Sequence, residues 1–227
     1  MKPYILSSLV VACVTLISGC QSARPIETVQ ESGDFMMRQG NYAGAADEFG
    51  EIIAKYPGNW EDQYKYGLCM LELKKYSDAR RAMEVAYNAT NSVYAAKQQE
   101  PKLAQGLAEA MFRQGDESRL YAFLKQRASQ QQTIAAYLML AKYALDLNDP
   151  DTARTALETA IAIDDNMSVE PYLQIAQLNE RLGNLDEAIR RLRQAYGINP
   201  EDLRVKQALV ALGGTPSPGL ALPPGRW

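Results

Sequence analysis

Few residues in this chain can do chemistry, and their surroundings separate them. Three thiols, Cys13, Cys20 and Cys69, stand in unlike contexts with no C-x-x-C spacing, so neither a disulfide framework nor a cysteine metal cluster is offered. Histidine is absent, which removes the commonest general base and the commonest neutral metal ligand. Adjacent carboxylates occur at Asp164-Asp165 and Asp186-Glu187. One pair follows a helical stretch and the other opens one, where capping and helix-end charge account for them. No G-x-S-x-G elbow or phosphate loop occurs. The expectation is a protein without catalytic residues, cofactor or metal. Cys69 lies in "YGLCMLEL", a helical pattern in which a lone cysteine behaves as a small buried hydrophobe.

Cys20 is different. It closes the apolar run "YILSSLVVACVTLISG" at 4 to 19, which comes after the single positive residue Lys2. The run is short for a membrane span, which needs about 20 residues, and ends in small residues as a secretory signal does. Ile17-Ser18-Gly19-Cys20 resembles the bacterial lipobox. That resemblance implies cleavage before Cys20 and a covalent lipid on its thiol; a plain signal with an incidental cysteine is the alternative. Several acyl chains would anchor the protein stably, since each buried CH₂ contributes about 0.8 kcal/mol and one chain is marginal. Gln21 in place of aspartate is similar to an outer-membrane passenger, facing the periplasm.

The rest of the chain must then be organised to bind rather than to react. Its 227 residues are 47% hydrophobic and 22% charged, with a net charge of −3, enough apolar matter for a core and no basic face for nucleic acid. Helix, turn, helix, stop recurs along it. In "RQGNYAGAADEFGEIIAKYPGN" one amphipathic stretch ends at Gly40 and the next at Pro57-Gly58. Ala45 and Ala79 stand 34 residues apart, and Ala153 and Ala188 stand 35 apart. This spacing resembles the tetratricopeptide repeat.

The resemblance implies an all-α, right-handed solenoid of about five helix-turn-helix units, at 26–59, 60–93, 101–133, 134–168 and 169–202, with a capping helix at 203–212. The third unit is degenerate, with Leu120 where a small residue is expected. The stretch 94–100 either lengthens a helix or forms a loop. The Pro-rich tail at 213–227, with "TPSPGLALPPGRW" from 215, is expected to be extended or disordered. Gly33, Gly67, Ala108, Ala141 and Ala176 on first helices should face Ala45, Ala79, Ala153 and Ala188 on second helices, because antiparallel helices approach closely only over small side chains.

First helices line the concave face in this family. Carried across residue by residue, the groove candidates are Met37, Arg38, Tyr64, Leu68, Leu71, Phe112, Arg113, Leu138, Lys142, Leu145, Leu173 and Gln177. Apolar anchors with charges beside them suit a peptide laid into a trough. The family's chaperone-tail clamp is not matched, since Asp34, Leu68 and Glu109 occupy the corresponding places. The layout resembles pilotins and Tad-pilus lipoproteins and, over one unit, BamD-like barrel-assembly lipoproteins. The implied role is a non-catalytic, membrane-anchored scaffold with a protein or peptide partner in an envelope machine. An accessory of peptidoglycan enzymes and a self-associating array are the alternatives.

Overall fold

A computed structural model describes residues 24–165 and 167–225. Cys20, the lipobox and Trp227 lie outside the described residues. Five helix pairs succeed one another: α1 (Ile26–Arg38) with α2 (Tyr42–Lys55), and α3 (Trp60–Glu72) with α4 (Tyr76–Asn88). After a short α5 (Tyr94–Gln98) come α6 (Glu100–Gln114) with α7 (Glu117–Gln131), and α8 (Ile134–Asp146) with α9 (Pro150–Ile163). α10 (Glu170–Arg181) with α11 (Leu185–Ile198) completes the series, and α12 (Leu203–Ala211) comes after it. The described residues contain no strand. Each pair packs against the next, giving an all-α solenoid.

One turn recurs inside every pair. A residue one or two places beyond the first helix takes a positive φ, at Gly40, Lys74, Gly115, Asn148 and Gly183. Its N–H bonds the carbonyl three residues back, and the next N–H reaches five back, as in Gly115 to Phe112 at 3.0 Å and Asp116 to Met111 at 3.1 Å. This double bond satisfies carbonyls that the helix end would orphan. The second helix then starts on a polar cap where one is present. Asn41 accepts from Gly44 N–H, Asp116 from Arg119 N–H and Asp149 from Thr152 N–H.

Close approach needs small residues at the crossing, and the structure shows what each excludes. A Cβ on Gly33 would stand 2.8 Å from Phe49 Cζ, and one on Gly67 would stand 2.7 Å from Met83 Cγ. Ala45, Ala79, Ala108, Ala141, Ala153, Ala176 and Ala188 are all buried. Leu120 is buried as well. Its bulk fits the looser packing of α6 on α7, and α6 leans instead on α4. The Cys69 thiol is fully enclosed, and burial pushes its pKa up to about 11, which leaves it a packing residue.

The stretch 94–100 lengthens nothing. A 3-10 turn at Ala89–Asn91 ends α4, α5 stands as a separate turn of helix, and α6 begins at Glu100. Of the two expectations for the C-terminal segment, extended or disordered, residues 214–225 follow the extended one, and they are docked: Leu222 N–H bonds Arg193 O at 3.0 Å, and the segment lies along α11. Prolines cannot continue a helix or a ladder, but they leave carbonyls free to be held by side chains.

Asp62 is a buried carboxylate at the start of α3. Its Oδ2 accepts from Gln30 Nε2 at 2.8 Å and Asn59 Nδ2 at 2.7 Å, while Oδ1 has no partner. Burial, only partly offset by the Gln30 hydrogen bond and by Lys65, raises its pKa above the ordinary carboxyl value. A raised native pKa means that stability falls as pH rises through the window between the unfolded and folded values. Asp62→Asn, which keeps an oxygen for Gln30 and Asn59 but removes the buried charge, is therefore expected to stabilise the chain at pH 7 by about 1 kcal/mol, the lower end of what an incompletely compensated buried polar or charged group costs. The advantage should fade as pH falls below the carboxyl range. Urea unfolding at both pH values checks it, and a gap independent of pH would contradict the assignment.

Candidate peptide-binding groove

The first helices α1 and α3 and the α5–α6 junction enclose a groove of about 630 Å³. Met37 and Arg38 come from α1, and Trp60, Tyr64 and Leu68 from α3. The opposite wall is Ala95 and Gln98 of α5, then Gln99, Lys102 and Leu103. That wall exists because of the additional residues between the second and third pairs. A regular repeat spacing would bring α6 straight after α4.

Charge in the groove is biased. Lys65 is tied to Asp34 at 2.7 Å, and the remaining charged lining residues are Arg38, Lys102 and Glu61. Lys102 Nζ sits 5.0 Å from the centre of the Tyr64 ring, an arrangement that holds an ammonium over an aromatic face. Burial raises the Tyr64 phenol above its ordinary pKa, so the floor stays uncharged at neutral pH. An apolar and aromatic floor with a basic rim takes an apolar side chain next to a carboxylate.

A second depression of about 440 Å³ lies farther along, between α8 and α10. It is lined by Leu138, Lys142, Leu145 and Gln177, together with Met139, Gln174 and Arg181. Lys142 is paired with Asp146 at 2.8 Å. Tyr143, which also lines this second depression, packs on Phe112 at 5.6 Å, and its Oη donates to Glu109 Oε2 at 3.1 Å. Burial, then the Glu109 charge, pushes that phenol well above its ordinary range.

The structure thus gathers Met37, Arg38, Tyr64 and Leu68 in one depression and Leu138, Lys142, Leu145 and Gln177 in the other. Leu71 and Phe112 are half-buried against the core, and Arg113 is exposed and paired with Glu109 at 2.7 Å. Leu173 does not line the groove: it is 5% exposed and belongs to the core, because α10 is packed on both sides by α9 and α11. Sequence reasoning missed Trp60, Gln98 and Lys102. Trp60 stands at the first position of α3, and the other two depend on how 94–100 folds.

Among the described residues no cluster of three metal-ligating side chains stands together, and no helix is long and apolar enough to cross a membrane. No curated protein matches the chain in sequence. Solved structures of similar fold include a MamA protein, at 18% identity and TM-score 0.55, covering 82% of this chain and 94% of that one. MamA from Desulfovibrio magneticus RS-1 is similar at 12% identity and TM-score 0.53, covering 78% of this chain and 97% of that one. The apo quorum sensor NprR from B. thuringiensis is similar at 12% identity and TM-score 0.54, covering 82% of this chain and 57% of that one. At these identities the likeness concerns the fold. Two stretches that together span more than half of the chain, residues 37–101 and 138–202, match the tetratricopeptide repeat. With five helix pairs closed by one repeated turn and nested on small residues, the chain belongs to the tetratricopeptide repeat family.

Proposed function

We propose that the chain is a non-catalytic scaffold, lipid-anchored through Cys20, that holds a segment of a partner protein in the groove between α1, α3 and α6. The observation that carries this reading is the walled groove itself, with its Trp60, Tyr64 and Leu68 floor and its Arg38 and Lys102 rim. The fitting ligand is a peptide with an aromatic or aliphatic anchor beside an acidic residue. Family members bind protein or peptide partners. The lipobox-like segment, together with Gln21, supports an outer-membrane address facing the periplasm, and hence a partner in a pilus, secretion or outer-membrane assembly.

Two arms test it. A photo-crosslinking residue at Gln98, exposed in the groove wall, is expected to capture an envelope-assembly component in native membranes, whereas one at Glu158 on the exposed side of α9 captures none. Arg38→Glu with Lys102→Glu should reduce the Gln98 adduct at least tenfold, about 1.4 kcal/mol, while leaving the fold intact because both sites are exposed. Equal capture at both positions would refute the groove. The other arm is Cys20→Ser, which should move the protein from the membrane to the soluble fraction and abolish lipid labelling. Membrane retention by that variant would exclude the lipid anchor while leaving the groove standing.

A further inference from the structure

The segment after α12 forms a site that the groove does not use. α12 closes with the same turn as the first helices of the array: Gly213 N–H bonds Val210 O at 3.0 Å and Gly214 N–H bonds Leu209 O at 2.8 Å, with Gly213 at φ 83°. By that turn α12 is the first helix of a sixth unit, and the chain beyond it stands where a second helix is due. That place is taken by a 3-10 turn at Pro218–Leu220 and then by extended chain to Gly225.

The last pair reads the main chain of that segment. Arg193 Nε donates to Leu220 O at 2.8 Å, and Gln194 Nε2 donates to Pro223 O at 3.3 Å and Gly225 O at 3.1 Å. Arg191 Nη1 donates to Gly225 O at 3.4 Å. In return Leu222 N–H bonds Arg193 O at 3.0 Å, and Gly225 N–H bonds Tyr172 Oη at 2.9 Å. With the segment docked, Gln194 is 1% exposed and Arg191 6%, so the segment's carbonyls stand where water would otherwise meet these donors. Leu220 packs against the core. Gly197 sits inside α11, where glycine weakens a helix, yet a Cβ there would stand 2.3 Å from Leu222 O. The glycine is needed for the approach of the extended chain.

We propose that this edge of α10 and α11 is a recognition site for an extended, proline-containing polypeptide, occupied in cis by residues 218–225 and open to the same segment of a second copy when the tail leaves. Proline fixes the extended form beforehand, so little order is lost on docking. The tether at 213–217 holds the tail at an effective concentration of order millimolar, so a free ligand competes only when the cis tail is weakened.

The full-length chain carrying Leu220→Asp and Leu222→Asp should release the tail and leave α10 and α11 unchanged. A synthetic peptide spanning residues 215–225 is expected to bind that variant one to one by calorimetry and at least tenfold more weakly to the unaltered chain. Adding Gly197→Ala to the variant should abolish binding. Failure of the peptide to bind a variant of native helicity, equal binding to the unaltered chain, or indifference to Gly197→Ala would each overturn the proposal. If the double variant does not fold, Gly197→Ala alone in the full chain decides. Hydrogen exchange at the Leu222 and Gly225 amides should quicken at least tenfold with α10 amides unchanged, and retained protection would overturn it.

Discussion

Ala79→Glu is expected to cost more than about 4 kcal/mol and to remove the cooperative melt of the array rather than shift it slightly. Ala79 is fully enclosed at the crossing of α3 and α4. Its backbone carbonyl would lie 3.4 Å from a Cβ on Gly67, and Met83 fills the remaining space. Glutamate would have to pry the helices apart and would leave a carboxylate with no water and no cation. Neighbouring units lose their contact surface with it, because stacked repeats are stabilised through nearest neighbours. Ala79→Gly tests the same site without bulk or charge and should cost only about 1 kcal/mol in helix propensity. Thermal unfolding followed by circular dichroism reads both. If Ala79→Glu melted like the unaltered chain, the crossing would not be where the packing places it.

That prediction rests on features legible in the sequence, because they come from local chemistry repeated at a fixed stride. Ala45 and Ala79, or Gly40, Gly115 and Gly183, show themselves by type and spacing, and the fold class emerges from their recurrence. Lys74 and Asn148 occupy the same left-handed turn without being glycine. There the packing of two long helices outweighs the roughly 1 kcal/mol cost of a Cβ. Leu120 announced an irregular pair by its size, and the structure answers with the loosened α6–α7 contact.

The site was less legible, and the reason is geometric. Helix periodicity places Met37, Arg38, Tyr64 and Leu68 on one face, but the groove needs an opposite wall, and that wall is Gln98 of α5, outside the repeat, with Lys102 in the first turn of α6, whose placement depends on how the inserted stretch folds. Leu173 has the same pattern as Leu138 yet is covered, because the face a residue presents does not say how far its neighbours reach across it. The docked tail was hidden for a related reason. Composition reads Pro216, Pro218, Pro223 and Pro224 as breakers. Only the donors of Arg191, Arg193 and Gln194 turn such a segment into a bound one.

Arg127→Met is expected to destabilise the chain by about 3–5 kcal/mol at pH 7. The Arg127 side chain is 2% exposed and meets Glu100, 13% exposed, through two parallel bonds, Nε to Oε1 at 2.7 Å and Nη2 to Oε2 at 2.8 Å. Burial alone would raise the Glu100 pKa, but the Arg127 bonds and charge outweigh it, aided by Gln131 and Tyr87, and hold the carboxyl below its ordinary value. A lowered native pKa contributes stability above the unfolded value, and that contribution is lost as pH falls through the native one. Without Arg127 the balance reverses: burial dominates, the carboxyl titrates high, and its charge is penalised at neutral pH. The deficit of Arg127→Met should therefore shrink between pH 7 and pH 4, as Glu100 becomes neutral in the variant while the unaltered chain loses its own bonus. Glu100→Gln combined with Arg127→Met should recover most of the loss, because removing both charges leaves nothing uncompensated. Denaturant unfolding at the two pH values decides, and a deficit under about 1 kcal/mol or one indifferent to pH would contradict the pair's role. The consequence reaches the groove. Glu100 fixes the first turn of α6, from which Lys102 and Leu103 face Tyr64 and Leu68. At a temperature where Arg127→Met stays folded, capture through Gln98 should fall although no groove residue has changed.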